Sequence, residues 1–382
     1  MGNKIRLGII YGGKTSEHEV SLLTALSIMK AVDKNKYEVQ PIYVQMDGTW
    51  LKGGPIADQV LESVNVLRLD GGVSSGSNDH DQEKQGQITL AGNQSLMGKP
   101  ANVMSIHQEV DVIFPVIHGP NGEDGTVQGL LELADIPYVG TGVMASAVGM
   151  DKLMMKNVFA QAGLDQVQYM GFLRSQIERE VDSVMNQIEQ KLGYPCFVKP
   201  ANMGSSVGIT KAKDRDDLRG ALELACKFDR RIIVEEFIKA REVEIGVLGN
   251  EELRTSVIGE VIAAKEFYDY EAKYKGGGTD LKIPADLPQQ VADRIAEMAK
   301  TAFQALDGSG LSRVDFFYDE ENDRVVINEV NTMPGFTPFS MYPMLFAEAG
   351  IPYAELIDQL VQLGLERYEE KQRNIVAAEE LE

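Results

Sequence analysis

The chain begins with an apolar run that predicts a buried strand. Residues 5–11 read Ile-Arg-Leu-Gly-Ile-Ile-Tyr, and Gly12 with Gly13 then predicts a turn. From Ser16 the sequence Ser-Glu-His-Glu fits a capping box, so we expect a helix to begin there. A strand that leads through a glycine turn into a helix is typical of an α/β fold.

A second apolar run, residues 110–117, predicts another buried strand, and it leads into the loop His-Gly-Pro-Asn-Gly-Glu-Asp-Gly. A helix is expected from Thr126. Strands that alternate with helices indicate a parallel sheet, and such sheets bind ligands beyond the carboxyl ends of their strands. The loops at 12–19 and 118–124 both occupy such positions, so we expect them to share one cleft.

The length of 382 residues exceeds one ordinary core and indicates two or three domains. The central part is expected to contain a helix near Asp151, a helix over 177–191, and strands around a glycine loop. Further strands follow, and a helix is expected near the C-terminal end, over 347–370. Residues 70–100 predict a surface loop. The expected units are a parallel α/β domain and then two α+β units, at residues 1–140, 141–235 and 236–382.

Composition narrows the possible partners and the cellular setting. The formal net charge of −21 argues against broad binding to nucleic acid or anionic membranes, because both would be repelled. Cys196 and Cys226 are the two cysteines, which excludes a disulfide framework or a multi-cysteine zinc site and favours a reducing compartment. No export signal is recognisable near Met1, so we expect a cytoplasmic protein.

Two glycine-containing motifs match known nucleotide-binding patterns, but the neighbouring residues disfavour that function. Residues 8–15 satisfy the phosphate-loop pattern of P-loop kinases, which is the remote alternative for function. Ile9, Ile10 and Tyr11 occupy the variable positions, however, and these residues favour a buried strand over a loop around phosphate. Residues 140–145 resemble a dinucleotide fingerprint, but the preceding apolar segment is very short, so a turn into a helix is favoured.

Residues 312–331 predict a hairpin that carries polar side chains on one face. Alternating apolar and polar positions on both sides of a polar turn are typical of paired strands. Because side chains alternate across a strand, Asp315 is expected opposite Glu329. Arg313 is expected opposite Asn331 on the same face.

That hairpin face suits a metal ion held together with phosphates. Two carboxylates and an amide oxygen are ligands that magnesium prefers. The alternative is a surface network of charged side chains. The opposite positions are apolar, which indicates a core side and favours the metal site; they are Val314, Phe316, Ile327 and Val330.

A lysine and a glycine loop predict a phosphate site. The apolar segment 194–200 contains Lys199 near its end and is followed by Gly-Ser-Ser-Val-Gly at 204–208, whose N–H groups and hydroxyls could close over phosphates. The alternative is a flexible hairpin with an extended surface lysine. Residues 232–238 predict a strand that passes into a connector, where backbone could pair with adenine and a carboxylate with ribose hydroxyls.

Together these segments resemble the ATP-grasp superfamily, and more closely its D-alanine–D-alanine ligases. The resemblance covers nearly the whole chain and implies an ATP-grasp fold, with an N-terminal parallel-sheet domain and two α+β domains that enclose the nucleotide. The matching segments are residues 12–21, 118–125, 142–152, 198–208, 268–274, 313–315 and 328–342.

The resemblance implies ATP as a substrate together with two Mg²⁺ or Mn²⁺ ions. The positions that it assigns to ATP are Lys152, Lys199, Ser206, Glu235, Glu236, Phe237, Ile238, Glu242, Lys273 and Asn328. The metal ligands that it implies are Asp315, Glu329 and Asn331. Lys273 would reach the γ-phosphate from a loop. Glu236 departs from the commonest pattern, since some relatives carry Lys there.

The resemblance also implies two binding sites for amino-acid substrates. Catalytic or loop-closing roles fall to Glu17, Ser205, Tyr274, Arg313 and Gly335. Substrate contacts fall to Glu17, His118, Ser340 and Met341. The implied reaction joins two D-alanines through a D-alanyl phosphate for peptidoglycan synthesis, with Arg313 and the N–H of Gly335 stabilising the oxyanion. Pro338 and Phe339 replace small polar residues that are frequent before Ser340.

The alternatives to this function are a ligase with a different second substrate and a different class of protein. A D-alanine–D-lactate or D-alanine–D-serine ligase would share these motifs, but Tyr274 favours D-alanine because D-lactate relatives tend to carry Phe or a different loop there. A non-catalytic protein that keeps only the fold and binds nucleotide is a further alternative. The resemblance implies a homodimer, for which the apolar helix predicted over 20–31 is a compatible surface.

Overall fold

The computed structural model describes residues 4–56, 64–69, 98–101, 103–204, 207–263 and 279–375. Four predicted site residues lie outside them: Ser205, Ser206, Lys273 and Tyr274. Most of the surface loop predicted over 70–100 also lies outside the described residues. Within the described ranges, no helix is both long enough and apolar enough to cross a bilayer.

The described elements alternate between strands and helices over most of the chain. The strands are β1 (Ile5–Gly12), β2 (Tyr37–Val44), β3 (Trp50–Lys52), β4 (Lys99–Pro100), β5 (Val112–Pro115), β6 (Tyr169–Leu173), β7 (Cys196–Pro200), β8 (Thr210–Ala212), β9 (Arg231–Glu236), β10 (Arg241–Gly249), β11 (Arg254–Ala263), β12 (Thr279–Lys282), β13 (Gly310–Asp319) and β14 (Arg324–Asn331). The helices are α1 (His18–Ala31), α2 (Thr126–Leu133), α3 (Val143–Met150), α4 (Lys152–Gln161), α5 (Arg174–Lys191), α6 (Arg215–Phe228), α7 (Gln289–Ala305), α8 (Met341–Glu348) and α9 (Tyr353–Gln372), with 3-10 turns at Val64–Leu67 and Val103–Gln108.

The first sheet has the order β4-β3-β2-β1-β5. Strand β1 runs parallel to both β2 and β5, which confirms the predicted parallel arrangement. Ile9, Ile10 and Tyr11 lie inside β1 and are fully buried. They are therefore strand residues of the core, and the interpretation of 8–15 as a loop around phosphate does not fit.

The start of α1 differs from the predicted capping box. The helix begins at His18 with Glu17 at the N-cap, and no side chain caps it there. Thr15 instead accepts a hydrogen bond from the Glu17 N–H at 3.0 Å and donates to the His118 carbonyl at 2.9 Å. The capping prediction was wrong because a threonine that bridges two loops organises this helix start in place of Ser16.

The second sheet, β6-β9-β7-β8, is antiparallel and lies within residues 169–236. The apolar faces of α5 and α6 pack on it through residues such as Ile188 and Leu222. Strands β7 and β8 pair with each other around the glycine loop, as the sequence predicted. Lys199 is the penultimate residue of β7, so the strand fixes its backbone beside that loop.

The third sheet, β12-β11-β10-β13-β14, is antiparallel and contains the predicted hairpin. Asp315 pairs with Glu329 and Arg313 with Asn331, which confirms the predicted register. A bulge follows Asp315, because Phe316 pairs with Ile327. The hydrophobic core lies behind the pair, where Val314, Phe316, Ile327 and Val330 are buried.

The predicted C-terminal helix is two helices. Gly350, with φ of +91°, and Pro352 separate α8 from α9, because a left-handed residue ends a helix and proline begins a new one. Leu356 and Leu360 of α9 pack with β1 and β5 in the core of the first sheet. The end of the chain therefore returns to the N-terminal sheet, while the predicted domain boundaries stay a prediction.

Candidate functional site

The polar face of the β13–β14 hairpin is held by a bidentate ion pair. Arg313 donates from Nε to Asp315 Oδ1 and from Nη2 to Asp315 Oδ2, both at 2.7 Å. Asn331 Nδ2 donates to Asp315 Oδ2 at 3.0 Å. Both strands thus fix the orientation of the Asp315 carboxylate, as the register allows.

Glu244 is a member of this face that the sequence analysis missed. It lies on β10 opposite Asp315, and its Oε2 is 2.9 Å from Arg313 Nε. Burial alone would lower the pKa of Arg313, but Asp315 and Glu244 outweigh it, and the pKa is raised well above its usual value. The alternation Glu-Val-Glu at 242–244 was the available signal, although only the strand order places it beside the hairpin.

The hairpin fits a metal ion that phosphates help to coordinate. The side chain of Glu329 is 25% exposed while that of Asp315 is nearly buried, so the face opens to solvent at Glu329. Among the described residues, no three His, Cys, Asp or Glu side chains are arranged to hold a metal by themselves. Two carboxylates and an amide match magnesium bound partly by protein and partly by phosphate oxygens.

Glu235 of β9 lies between two lysines, Lys199 of β7 and Lys156 of α4. Its Oε2 is 2.5 Å from Lys199 Nζ, and its Oε1 is 3.0 Å from Lys156 Nζ. The Glu235 and Lys156 side chains are 3% and 1% exposed. Burial alone would raise the pKa of Glu235, but the two ammonium groups lower it to about 2.

The positions of Glu235 and Lys156 differ from what the sequence analysis expected. The expectation for Glu235 was a contact with adenine or ribose, whereas its carboxylate lies between lysines. Lys156 was missed altogether. The available signal was its spacing of four residues from Lys152, which places both on one face of α4.

Lys152 connects the hairpin to the glycine loop. Its Nζ is 3.3 Å from Glu329 Oε2 and donates to the Met203 carbonyl at 3.0 Å. Asp151 caps α4 by accepting two backbone N–H groups, and its other oxygen accepts from Asn202 at 2.9 Å. The sequence thus places a helix start, a lysine and the beginning of the glycine loop in one network.

Lys199 belongs to the same electrostatic site. Burial lowers its pKa, but Glu235 outweighs that effect, Glu329 and Glu242 add to it, and the pKa is raised. The predicted lysine of the glycine loop is therefore close enough to Glu329 of the predicted acidic hairpin for the two charges to interact.

The connector after β9 presents an aromatic ring beside this cluster. Phe237 is 39% exposed, its ring contacts Phe197, and Lys211 Nζ lies 4.1 Å from its ring centroid. Glu236 accepts a hydrogen bond from the Gln168 N–H at 2.8 Å and so holds the connector to the start of β6. The remaining positions predicted for ATP are partly exposed, at Ile238, Glu242 and Asn328.

Glu17 and His118 form a second, buried polar cluster, and the two predicted loops do meet. Thr24 Oγ1 is 3.0 Å from His118 Nε2, and Glu123 Oε1 is 3.3 Å from His118 Nδ1. A Cβ added to Gly119 would lie 2.6 Å from Glu17 Oε2, and one added to Gly204 would lie 3.4 Å from it. The Glu17 carboxylate therefore lies beside both the His118 loop and the glycine loop.

The loop after β14 closes this cluster. The Met333 backbone lies close enough to His118 to help raise the pKa of its imidazole. The Thr337 N–H donates to Ser340 Oγ at 3.0 Å, and a Cβ added to Gly335 would lie 3.1 Å from that oxygen. Met341 begins α8 and is buried. Gly335 and Ser340 are thus adjacent, as an oxyanion donor and a carboxylate contact would need to be.

Glu123→Gln is expected to lower the pKa of His118, because it removes the carboxylate that favours the charged imidazole. Burial opposes the charged form, but Glu123 and then Glu17 outweigh burial, so the pKa of His118 is raised. Stability from this protonation is present below the unfolded value of about 6.5 and is lost as the pH rises through the higher folded pKa. NMR titration of the imidazole signals measures the shift, with the other histidines as internal controls. An unchanged His118 titration would contradict the role given to Glu123.

Glu235→Gln is expected to destabilise the fold by about 3–5 kcal/mol at pH 7, because it leaves buried ammonium groups without their counterion. The folded pKa of Glu235 is depressed to about 2, so its contribution is present above the unfolded value of about 4.3 and falls as the pH drops toward 2. Urea denaturation should show a smaller difference at pH 3 than at pH 7. The control is Glu297→Gln in an exposed pair with Lys300. An equal effect of both substitutions would contradict this account.

Comparison with families of known proteins agrees with this geometry. A family model described as the D-ala D-ala ligase N-terminus matches residues 6–141, and one described as the D-ala D-ala ligase C-terminus matches 158–362. The chain is 52% identical over 370 residues to the D-alanine–D-alanine ligase of Bacillus cytotoxicus, covering 97% of this chain and 98% of that protein. It is 51% identical over 369 residues to the Geobacillus kaustophilus enzyme of the same name, covering 97% of each chain.

Solved structures give the same result. The D-alanine–D-alanine ligase of Coxiella burnetii superposes with a TM-score of 0.74 at 29% identity, covering 97% of each chain. The VanG D-Ala:D-Ser ligase of Enterococcus faecalis superposes with a TM-score of 0.74 at 32% identity, covering 95% of this chain and 100% of that one. The fold is the ATP-grasp fold of these enzymes, and this chain belongs to the D-alanine–D-alanine ligase family.

Proposed function

We propose that this protein is an ATP-dependent ligase that joins two D-alanine molecules into a dipeptide for peptidoglycan synthesis, with release of ADP and phosphate. The observation that carries the proposal is the meeting of two elements. On the hairpin that bears Asp315 and Glu329, Glu329 Oε2 lies 3.3 Å from Lys152 Nζ, and Glu329 also interacts electrostatically with Lys199. An acidic face and a basic face across one gap are what a metal–nucleotide complex requires.

ATP lies between the second and third sheets in this proposal. Lys152 and Lys199 bind its phosphates, and the glycine loop covers them with backbone N–H groups. The connector 235–238 contacts adenine, with the exposed ring of Phe237 beside it, and Glu242 takes the ribose hydroxyls. Asn328, at the bulge of β14, lies next to the metal-binding positions. Contributions from Ser206 and Lys273 stay predictions.

Asp315, Glu329 and Asn331 are the residues that would hold Mg²⁺, or Mn²⁺, as two ions shared with the phosphates. A bound metal would supply positive charge that offsets the negative charge of the phosphates during transfer. Arg313 keeps the Asp315 carboxylate oriented toward that position by its bidentate contact. The protein thus supplies mainly placement and charge.

The first half-reaction activates a carboxylate. Glu17 binds the ammonium group of the first D-alanine, with His118 beside it in the buried cluster. A carboxylate oxygen of that D-alanine attacks the γ-phosphorus, the bond to the bridging oxygen breaks, and ADP leaves with D-alanyl phosphate formed. Activation is needed because a free carboxylate is a poor electrophile. Ser205 and Tyr274 are predicted to hold the covering loop by bonding toward Glu17.

The second half-reaction forms the peptide bond. Ser340 and the Met341 N–H bind the carboxylate of the second D-alanine, whose free amine attacks the acyl carbon. Arg313 and the Gly335 N–H stabilise the oxyanion of the tetrahedral intermediate, and each such donor contributes about 3–4 kcal/mol in comparable sites. Collapse of the intermediate expels phosphate, and the amine loses its proton.

A phosphate-release assay with product mass tests the proposal. Purified protein is incubated with ATP, Mg²⁺ and D-alanine, and then with D-alanine plus D-serine or D-lactate. We expect one phosphate for each D-alanyl-D-alanine formed, and little mixed product. Mainly D-alanyl-D-serine would favour a D-Ala:D-Ser ligase, the activity for which the VanG enzyme is named, while D-alanyl-D-lactate would favour depsipeptide synthesis. No phosphate release with any substrate would contradict a ligase.

The proposed setting is the cytoplasm, and the proposed assembly is a homodimer. Helix α1 packs Leu22, Ile28 and Met29 into its own core and leaves Leu23 half exposed. That residue is a compatible part of a surface between two copies. Light scattering across a protein concentration series tests this assembly, and a monomer at all concentrations would contradict it.

A further inference from the structure

Lys156 is a buried cation that the proposed reaction leaves without a role. It lies on the inner face of α4, is 1% exposed, and has its Nζ 3.0 Å from Glu235 Oε1. Its Nζ also lies 5.5 Å from the centroid of the Tyr169 ring. Among the described residues, Glu235 is the carboxylate within ion-pair distance of Lys156. A buried charge of this kind is costly unless it is paired.

Glu235 contacts two lysines, and the proposed function gives one of them a second task. Lys199 Nζ is 2.5 Å from Glu235 Oε2, and this lysine is also the proposed ligand of the ATP phosphates. If its ammonium group turns toward a phosphate, the contact with Glu235 weakens or breaks. If Lys199 were the only partner, that movement would leave a carboxylate that is 3% exposed without a counterion.

We infer that Lys156 is a positioning residue that keeps the Glu235 carboxylate paired when Lys199 turns toward the nucleotide. The inference rests on the proposed role of Lys199 in ATP binding. Lys156 does not contact the phosphates in this account. Because it keeps Glu235 paired, less free energy is needed to move Lys199 away from Glu235. More of the favourable free energy of the Lys199–phosphate contact then contributes to ATP affinity. Burial lowers the pKa of Lys156 and the contact with Glu235 opposes that shift, so loss of this contact would disfavour the charged lysine further.

The inference predicts a specific pattern among three variants. Lys156→Met should weaken binding of a non-hydrolysable ATP analogue with Mg²⁺ by tenfold or more. It should raise KM for ATP and change kcat at saturating ATP by less than threefold. Lys156→Arg, which keeps a positive charge beside Glu235, should bind within about threefold of the unaltered protein. Lys300→Met is the control, since it removes one positive charge from an exposed pair on α7.

Isothermal titration calorimetry and steady-state assays on the full chain measure these effects. A merely structural role for Lys156 would lower the active fraction, and so kcat, without moving KM for ATP, in Lys156→Met and Lys156→Arg alike. Unchanged analogue binding in Lys156→Met would overturn the inference. So would a Lys156→Arg variant that binds the analogue as weakly as Lys156→Met. If Lys156→Met does not fold, Lys156→Gln takes its place in this comparison.

The same measurements separate this inference from the proposed function. If the unaltered protein binds the analogue but forms no dipeptide from D-alanine, the ligase proposal fails while the role of Lys156 is still tested by binding. If the unaltered protein forms the dipeptide and Lys156→Met binds the analogue normally, only the inference fails.

Discussion

Lys199→Met is expected to weaken binding of Mg²⁺–ATP by roughly 10- to 100-fold. The lost contact is a hydrogen bond between an ammonium group and phosphate, and bonds to charged groups contribute about 1.5–3 kcal/mol. The substitution leaves Lys156 on Glu235, so the buried carboxylate keeps one counterion. Calorimetric titration with a non-hydrolysable ATP analogue measures the loss, and urea denaturation shows whether the fold is retained.

Lys14→Met is the matched control for that substitution. Lys14 is exposed and follows β1 at the lysine position of the phosphate-loop pattern. A P-loop kinase would lose nucleotide binding with Lys14 and keep it with Lys199. Our account expects the reverse, and normal affinity in Lys199→Met together with a loss in Lys14→Met would contradict it.

Arg313→Met is expected to lower kcat by about 100- to 1000-fold, the usual effect of removing an oxyanion donor. ATP affinity should fall by less than kcat, because Arg313 acts directly on the developing charge and reaches Mg²⁺–ATP only through the Asp315 carboxylate that it orients. Arg313→Lys should recover little, since one ammonium group cannot reproduce the bidentate contact with Asp315. Steady-state kinetics with D-alanine, combined with analogue titration, separate kcat from affinity.

Arg324→Met controls for loss of an arginine from the same hairpin. Arg324 makes a bidentate pair with Asp165 at the turn end, where both side chains are well exposed. Exposed pairs contribute little, so kcat should stay within about twofold. Equal losses in Arg313→Met and Arg324→Met would mean that the hairpin only needs its charges for folding.

The hairpin could be predicted because its information is local. Two alternating strands joined by a short polar turn fix which residues lie opposite each other, and the pairing of Asp315 with Glu329 followed from that rule alone. Lys199 was predictable for a similar reason, since a lysine within an otherwise apolar strand needs a polar partner. In both cases the buried faces confirm the patterns, as with Val314 and Phe316.

Residues missed by the sequence analysis depend on contacts between distant segments. Glu244 joins the hairpin face only because β10 lies beside β13, and no pattern within β10 reveals that order. Lys156 meets Glu235 across 79 positions of the chain through the packing of α4 on the second sheet. The prediction for the start of α1 was wrong for the same reason. Thr15 donates a hydrogen bond to the His118 carbonyl and organises the helix start in place of Ser16.

The C-terminal helices show a further limit. Gly350 and Pro352 are visible in the sequence, and they explain why the expected single helix is divided. That α9 packs on the first sheet is not visible, since its apolar face would fit any partner. The hydrogen bond from Tyr37 to Asp358 at 2.7 Å secures this contact between the two ends of the chain.

A crystal structure of the protein with Mg²⁺ and a non-hydrolysable ATP analogue tests the central claim most directly. We predict a metal ion about 2.0–2.1 Å from oxygens of Asp315 and Glu329, bridged to phosphate oxygens that Lys152 and Lys199 contact on the other side. Phosphates bound instead by residues 12–15, or a metal ion away from both carboxylates, would contradict the claim.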